Sequence, residues 1–158
     1  MIQTKTIALV AHDNRKGDMV EWVETNAEKL LRHNIVCTGT TGRQVEASLN
    51  QFNSKAKLAE VSIAKLKSGP LGGDQQLGAR IAEGRIDILI FFWDPMQAQP
   101  HDVDVKALLR IASVYNIPTA ANRSTADFII SSPLLDSDYK PKVRDYSDYI
   151  ERNLGSKA

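Results

Sequence analysis

Eight consecutive residues, Ile86–Trp93 (IDILIFFW), contain a single charge. A strand with one wet face would alternate apolar and polar residues, and this one does not. A nearly unbroken apolar run is what a parallel strand needs when helices cover both faces of its sheet. Thr6–Ala11 (TIALVA) reads the same way, and Ile35–Cys37, Val61–Leu66 and Thr119–Ala121 are shorter strand candidates. Helical periodicity fills the gaps. One helix runs from about Gly17 to Leu31, with Val20, Val23, Ala27, Leu30 and Leu31 on one face. Another starts near Arg43. Gln75–Glu83 is stopped by Gly84, and Val103–Tyr115 turns Val105, Leu108, Leu109 and Ala112 inward. Ser124-Thr125-Ala126-Asp127 resembles a capping box opening a helix through Ile130, and Tyr146–Leu154 is the last helix. The polar stretch Gln44–Lys57 is an extended helix or a surface excursion. This alternation predicts a three-layer α/β/α fold: a doubly wound, mostly parallel sheet of about five strands in a single domain, residues 1–158.

Bulk properties narrow the partners. The net charge of +1 gives no reason to expect nucleic acid or a membrane surface. The N-terminal apolar run meets His12-Asp13 too soon for a signal peptide, and no stretch approaches the ~18 apolar residues of a membrane span. Cys37 is the only cysteine, which excludes an intrachain disulfide and a cysteine-based zinc cluster. A reducing cytoplasm is the expected location.

Chemistry-bearing residues gather in loops that follow strands, and in a parallel sheet those loops share one edge. Ser68-Gly69-Pro70-Leu71-Gly72-Gly73-Asp74 packs three glycines in front of a carboxylate at a helix start. Glycines let the backbone approach a ligand closely; Asp74 is then a general base or a helix cap. Thr38-Gly39-Thr40-Thr41-Gly42 offers hydroxyls and amides at a helix N-terminus, a phosphate cradle or a capped turn, with Lys16 as a candidate cation. It matches neither a P-loop nor a dinucleotide fingerprint. His12 ends the first strand, as a donor to a ligand oxygen or a satisfied strand-end histidine. Asp94 follows the central strand, placed to fix a loop or a substrate hydroxyl. His101 stands in an acid- and proline-rich loop, and Asp104 either orients it or caps the next helix. His33, at a helix end, suits a cation near the dipole. A metal held by His12, Asp74, His101 and Asp104 lacks any HxH or HxxxH spacing.

In this order, the His12-Asp13…Lys16, Thr38–Gly42, Ser68–Gln76 and Phe91–Arg110 motifs, with Asn116–Phe128, resemble the methylglyoxal synthase family over nearly the whole chain. The resemblance implies conversion of dihydroxyacetone phosphate to methylglyoxal and inorganic phosphate without metal or organic cofactor. It implies Asp74 as general base and His101 at the carbonyl and hydroxyl oxygens. His12 would contact the substrate, with Asp94 and Asp104 in the same polar cluster. Lys16, Thr38, Gly39, Thr40, Thr41, Ser68 and Gly69 would hold the phosphate. It also implies a homohexamer inhibited by phosphate. The chain departs from the family in a longer Arg43–Lys67 segment and at the tail. There Arg152, rather than Asn153, is expected to replace an arginine that reaches a neighbour's phosphate. Two other readings stand beside this one. The allosteric domain of carbamoyl-phosphate synthetase shares the fold without the catalysis, and a sugar-phosphate isomerase or aldolase shares the proton abstraction.

Overall fold

The computed structural model describes residues 1–56 and 61–152. Its centre is a five-stranded parallel sheet of order β3-β2-β1-β4-β5. In chain order the strands are β1 (Thr6–Ala11), β2 (Asn34–Thr38), β3 (Ala64–Leu66), β4 (Ile88–Phe92) and β5 (Thr119–Ala120). The helices are α1 (Lys16–Thr25), α2 (Ala27–Leu30), α3 (Gly39–Lys55), α4 (Gly73–Ala82), α5 (Asp102–Val114), α6 (Arg123–Ser131) and α7 (Ser147–Ile150).

Successive side chains of a strand point to opposite faces, so each central strand feeds two cores. Ile7, Leu9, Ile88, Ile90 and Phe92 pack with Met19, Trp22, Leu49 and Ile130 from α1, α3 and α6. Ala8, Val10, Leu89 and Phe91 pack with Leu77, Ile81, Val105 and Leu108 from α4 and α5. Every residue of β4 is buried, as its apolar run requires. From β1 the chain winds outward to β2 and β3, then returns to the other side for β4 and β5. The order reverses between β1 and β4, and a crevice opens there beyond the strands' carboxyl ends.

Several local expectations need correction. The first long helix is broken at Asn26, whose side-chain amide donates to the Trp22 carbonyl at 2.8 Å and competes with the helical ladder. The Thr38–Gly42 turn is the first turn of α3 itself, which starts at Gly39 rather than Arg43. Gly39 makes the junction with φ +55, and a Cβ there would meet Ser68 at 3.1 Å. Gln44–Lys55 continues that helix, which settles the extended-helix alternative for the described part of the stretch. The cap of α6 is Asn122, whose side chain accepts from the Thr125 amide at 2.9 Å, not Ser124. Asp127, expected in that capping box, instead accepts from Trp22 Nε1 at 2.9 Å. Leu109 is only half-buried. Helix α7 spans Ser147–Ile150; Asn153 and Leu154 lie outside the described residues.

Candidate functional site

Loops after four strands meet at the crevice. His12, Asp13 and Lys16 follow β1; Thr38, Gly39, Thr40 and Thr41 end β2 and open α3. Ser68, Gly69, Pro70 and Asp74 lie between β3 and α4, and Gln99 and His101 between β4 and α5. With Val10 and Ala11 they line one small cavity of about 80 Å³. A larger cavity of about 310 Å³ lies at the opposite edge of the sheet, walled by Ile88, Phe128, Ile129, Leu134 and Tyr139. Its lining is mostly apolar and includes no histidine, whereas the smaller cavity gathers the polar residues of four strand ends.

One end of the small cavity suits an anion. Lys16 Nζ donates to Thr40 Oγ1 at 2.6 Å and to Asp13 Oδ1 at 2.7 Å, which holds the ammonium over the first turn of α3. Thr38 and Thr41 are buried there. Gly39 N–H is spent on the Lys67 carbonyl at 3.2 Å. Amides in the first turn of a helix have no partner inside it, and the helix dipole adds positive potential. The contact with Asp13 holds that exposed carboxyl below its ordinary range.

The other end suits proton transfer. Asp74 is the second residue of α4, and Gly72, with φ +103, holds the capping position in front of it. The cap reading of Asp74 therefore falls: its carboxylate makes no capping bond. It is 3 % exposed, and neither oxygen has a hydrogen-bond partner. Burial pushes its pKa up; His101 opposes that and Asp104 adds to it. His101 Nε2 lies 3.5 Å from Asp74 Oδ2, close enough for charge interaction but without a hydrogen bond. Gly69 makes this approach possible, because a Cβ there would sit 2.8 Å from His101 Nε2 and 3.2 Å from Asp74 Oδ2. Its neighbour Gly73 is equally constrained, since a Cβ would collide with the Lys67 carbonyl.

His12 closes the site from β1, its ring 5.7 Å from that of His101 at 83°. Its Nδ1 accepts from the Asp94 backbone amide at 3.0 Å. Burial, and after it His101, holds its pKa below the ordinary value. A neutral imidazole that accepts at Nδ1 carries its proton on Nε2. That Nε2 is buried without a protein partner, as a donor awaiting an acceptor would be. Among the described residues no group of three or more His, Cys, Asp or Glu side chains is arranged to hold a metal.

Three expected residues lie elsewhere. Asp94 does not line the cavity; its carboxylate accepts from Asn14 Nδ2 and the Met96 amide, each at 3.0 Å, and is held below its usual range by them. Asp104 lines a separate groove between α4 and α5 that shares Asp74 as a wall. Its backbone amide donates to the His101 carbonyl at 2.9 Å, and no side-chain bond to His101 is formed. Arg152 stacks on the Tyr149 ring, 3.8 Å from its centroid, outside the cavity within one chain. Conversely, sequence reasoning missed Gln99 and Asn14. Gln99 is positioned by its backbone amide, which donates to Asp102 Oδ1 at 3.2 Å, and Asn14 by its contacts across the loops. Gln99 stands in no motif, and Asn14, inside the His12–Lys16 turn, reads there only as a loop residue.

A family profile described as an MGS-like domain matches residues 18–121. The methylglyoxal synthase of Maridesulfovibrio salexigens is 56% identical over 157 residues, covering 98% of this chain and 100% of that protein. That of Coxiella burnetii is 53% identical over 148 residues, covering 94% and 96%. The crystal structure of the methylglyoxal synthase from Elizabethkingia anophelis superposes with a TM-score of 0.85 at 51% identity, covering 97% of this chain and 94% of that one.

Proposed function

The chain belongs to the methylglyoxal synthase family, and on that premise we propose that the cavity between β1 and β4 converts dihydroxyacetone phosphate to methylglyoxal and inorganic phosphate. The observation that carries this reading is Asp74: a buried carboxylate with two free oxygens, 3.5 Å from a histidine, in one cavity with a lysine–threonine anion cradle. A purely allosteric domain would have no use for such a carboxylate, whose burial costs stability.

The substrate phosphate binds at Lys16, Thr38, Thr40 and Thr41, with Ser68 and Gly69 beside them; Gly39, expected among the donors, has its N–H on the Lys67 carbonyl and shapes the turn instead. That leaves the carbonyl and hydroxyl of the triose among His12, Asp74 and His101. Asp74 takes the proton from the hydroxyl-bearing carbon; its raised pKa brings it nearer the strength such a base needs. The enediolate oxygen gains charge as the proton leaves, and His12 Nε2–H and His101 stabilise it by donation. The hydroxyl proton then leaves, that oxygen's electron pair closes the aldehyde carbonyl, the double bond shifts, and phosphate departs with the C–O pair, which requires that C–O bond to stand out of the enediolate plane. The cradle sets that angle, and so selects elimination over isomerisation. The enol so formed takes a proton from water at its methylene carbon to become methylglyoxal. Asp104 contributes by raising the proton affinity of Asp74, and Asp94 by ordering its loop. The products separate the readings: dihydroxyacetone phosphate should yield free phosphate and a trapped dicarbonyl in equal amounts. Glyceraldehyde phosphate instead would make the protein an isomerase, and no turnover would leave a binding domain.

The assembly is part of the proposal, with residues 1–158 acting as one domain. Leu71 and Met96, on the loops around the cavity, and Val103, in the first turn of α5, are 74 %, 89 % and 80 % exposed, and Tyr149 and Ile150 of the tail are exposed too. A homohexamer would cover such side chains and bring Arg152 of one subunit to the phosphate of the next. An arginine fork suits a phosphate. Arg152→Ala should then weaken substrate and phosphate binding while the melting temperature barely changes. A protein monomeric by sedimentation, with unaltered phosphate competition in Arg152→Ala, would remove this part of the reading. No described helix is long and apolar enough to cross a membrane. The single cysteine is buried and unpaired, which fits the cytoplasmic location proposed here.

A further inference from the structure

Asn14, in the turn after β1, reaches across the switch point to the loop after β4. Its Nδ2 donates to Asp94 Oδ2 at 3.0 Å and to Gln97 Oε1 at 2.6 Å. An amide nitrogen has two hydrogens, so both are spent on one loop. Asp94 Oδ1 accepts from the Met96 amide at 3.0 Å, which leaves the carboxylate turned into its own loop. The Asp94 backbone amide in turn donates to His12 Nδ1 at 3.0 Å. The same loop continues through Gln99 to His101. Two elements of the site thus depend on one side-chain bridge: the tautomer of His12 and the course of the loop that delivers His101.

We propose that Asn14 is a positioning residue: acting through Asp94, it clamps the β1 and β4 loops together and presents His12 to the substrate as its Nε2–H tautomer. The inference rests on the reading of this cavity as a ketotriose phosphate site. It gives Asp94 a different task from the substrate contact its place in the sequence suggests. Asp94 is the acceptor of the clamp and holds the imidazole through its main chain.

The test is an exchange of the two partners. Asn14→Asp keeps the shape, removes both donors and sets a second carboxylate against Asp94. We expect kcat to fall by about 10- to 100-fold, the scale of a small misplacement of catalytic groups. KM and competition by inorganic phosphate should change little, because the Lys16–Thr40 contact is untouched. Asn14→Asp combined with Asp94→Asn restores an amide–carboxylate pair with the donor on the other side, and the Gln97 amide can turn to donate to the new carboxylate. The combined variant should regain most of the lost kcat. If it stays as slow as Asp94→Asn alone, the Asp94 carboxylate acts on substrate and the proposal is overturned. A second readout does not need turnover. The chain has three histidines, and nitrogen-15 labelling reports the tautomer of each. His33, whose Nδ1 accepts from the Lys5 amide at 3.2 Å, is an internal reference for the same tautomer. His12 should match it in the unmodified protein and become a mixture in Asn14→Asp; a His12 signal that stays put overturns the proposal whatever the rate does. Should the unmodified chain release no phosphate while the His12 signal behaves as expected, the functional reading fails and the positioning role stands.

Discussion

His12 and His33 are the same device at opposite edges of the sheet. Both are buried, both accept a backbone N–H at Nδ1, and burial holds both pKa values below the ordinary one. They differ at the other nitrogen. Neither Nε2 makes a hydrogen bond, but His33 Nε2 lies 3.4 Å from Asp136 Oδ1, a carboxylate on the turn after α6. His12 Nε2 faces a cavity. Burial, a lowered pKa and an unbonded nitrogen therefore do not mark function by themselves; what separates the two is that His12 opens on a cavity shared with Asp74, His101 and Lys16, whereas His33 Nε2 faces a carboxylate. Asp74 lines the same cavity with two unbonded oxygens, one of them 3.5 Å from His101 Nε2. His33 also departs from the sequence expectation of a cation at a helix end, because desolvation outweighs the pull of Asp136.

The comparison breaks most sharply at Asp74. Asp74→Asn should lower kcat by about 10²–10⁴-fold, the usual worth of a positioned base, with substrate binding much less affected. The melting temperature should move the opposite way. A pKa raised on folding means the native state resists the ionised form, so the wild-type chain loses stability as pH rises past the ordinary carboxylate range. Asp74→Asn should accordingly be the more stable protein at neutral pH, and the gap should close on acidification to about pH 4. Near-normal turnover in this variant would refute the base assignment.

His101→Gln comes next. Losing one donor to a developing oxyanion commonly costs roughly 10²–10³ in rate. Exchange of the substrate's carbon-bound hydrogen with solvent should slow in parallel. Unchanged exchange with slow phosphate release would confine His101 to the elimination step.

Replacing each of the paired histidines sharpens the contrast. His12→Asn should lower kcat, while His33→Asn, whose side-chain oxygen can still accept from Lys5, should leave it intact. Stability should respond in both. A histidine whose pKa is depressed on folding contributes stability that is present above about pH 6.5 and is lost as pH falls through the folded value. Each replacement should flatten the melting curve against pH below about 6.5. Equal losses of activity from the two would show that His12 is also only structural.

The smallest effect is expected at the cradle's hydroxyls. Thr40→Ala with Thr41→Ala should weaken phosphate competition less than Lys16→Ala does, because the backbone donors survive. An inorganic phosphate that binds without competing with substrate would place the cradle elsewhere.

Much of this was legible in one dimension. The apolar runs of β1 and β4 require cover on both faces, and that forces parallel strands with helices between them. Once the strands are parallel, every strand-to-helix loop lies on one edge. Lys16, Thr38–Thr41, Asp74 and His101 could therefore be brought together before any distance was known. Local periodicity carries that information because burial is decided residue by residue along each element.

The finer assignments depended on contacts between segments far apart in the chain. Nothing local tells whether Asp74 caps its helix; Gly72 takes the cap, and Gly69 leaves room for His101 beside the carboxylate. Asp94 and Asp104 look alike beside prolines and other acids, yet one is turned into its loop by Asn14 and the other faces a groove behind the site. His12, at a strand end, and His33, at a helix end, prove to be the same backbone-accepting device, and what faces each Nε2 separates them. Sequence determines what must be buried. Which buried polar atom goes unpaired is a property of three-dimensional neighbours, because a hydrogen bond is satisfied or denied by whatever packing brings within about 3 Å.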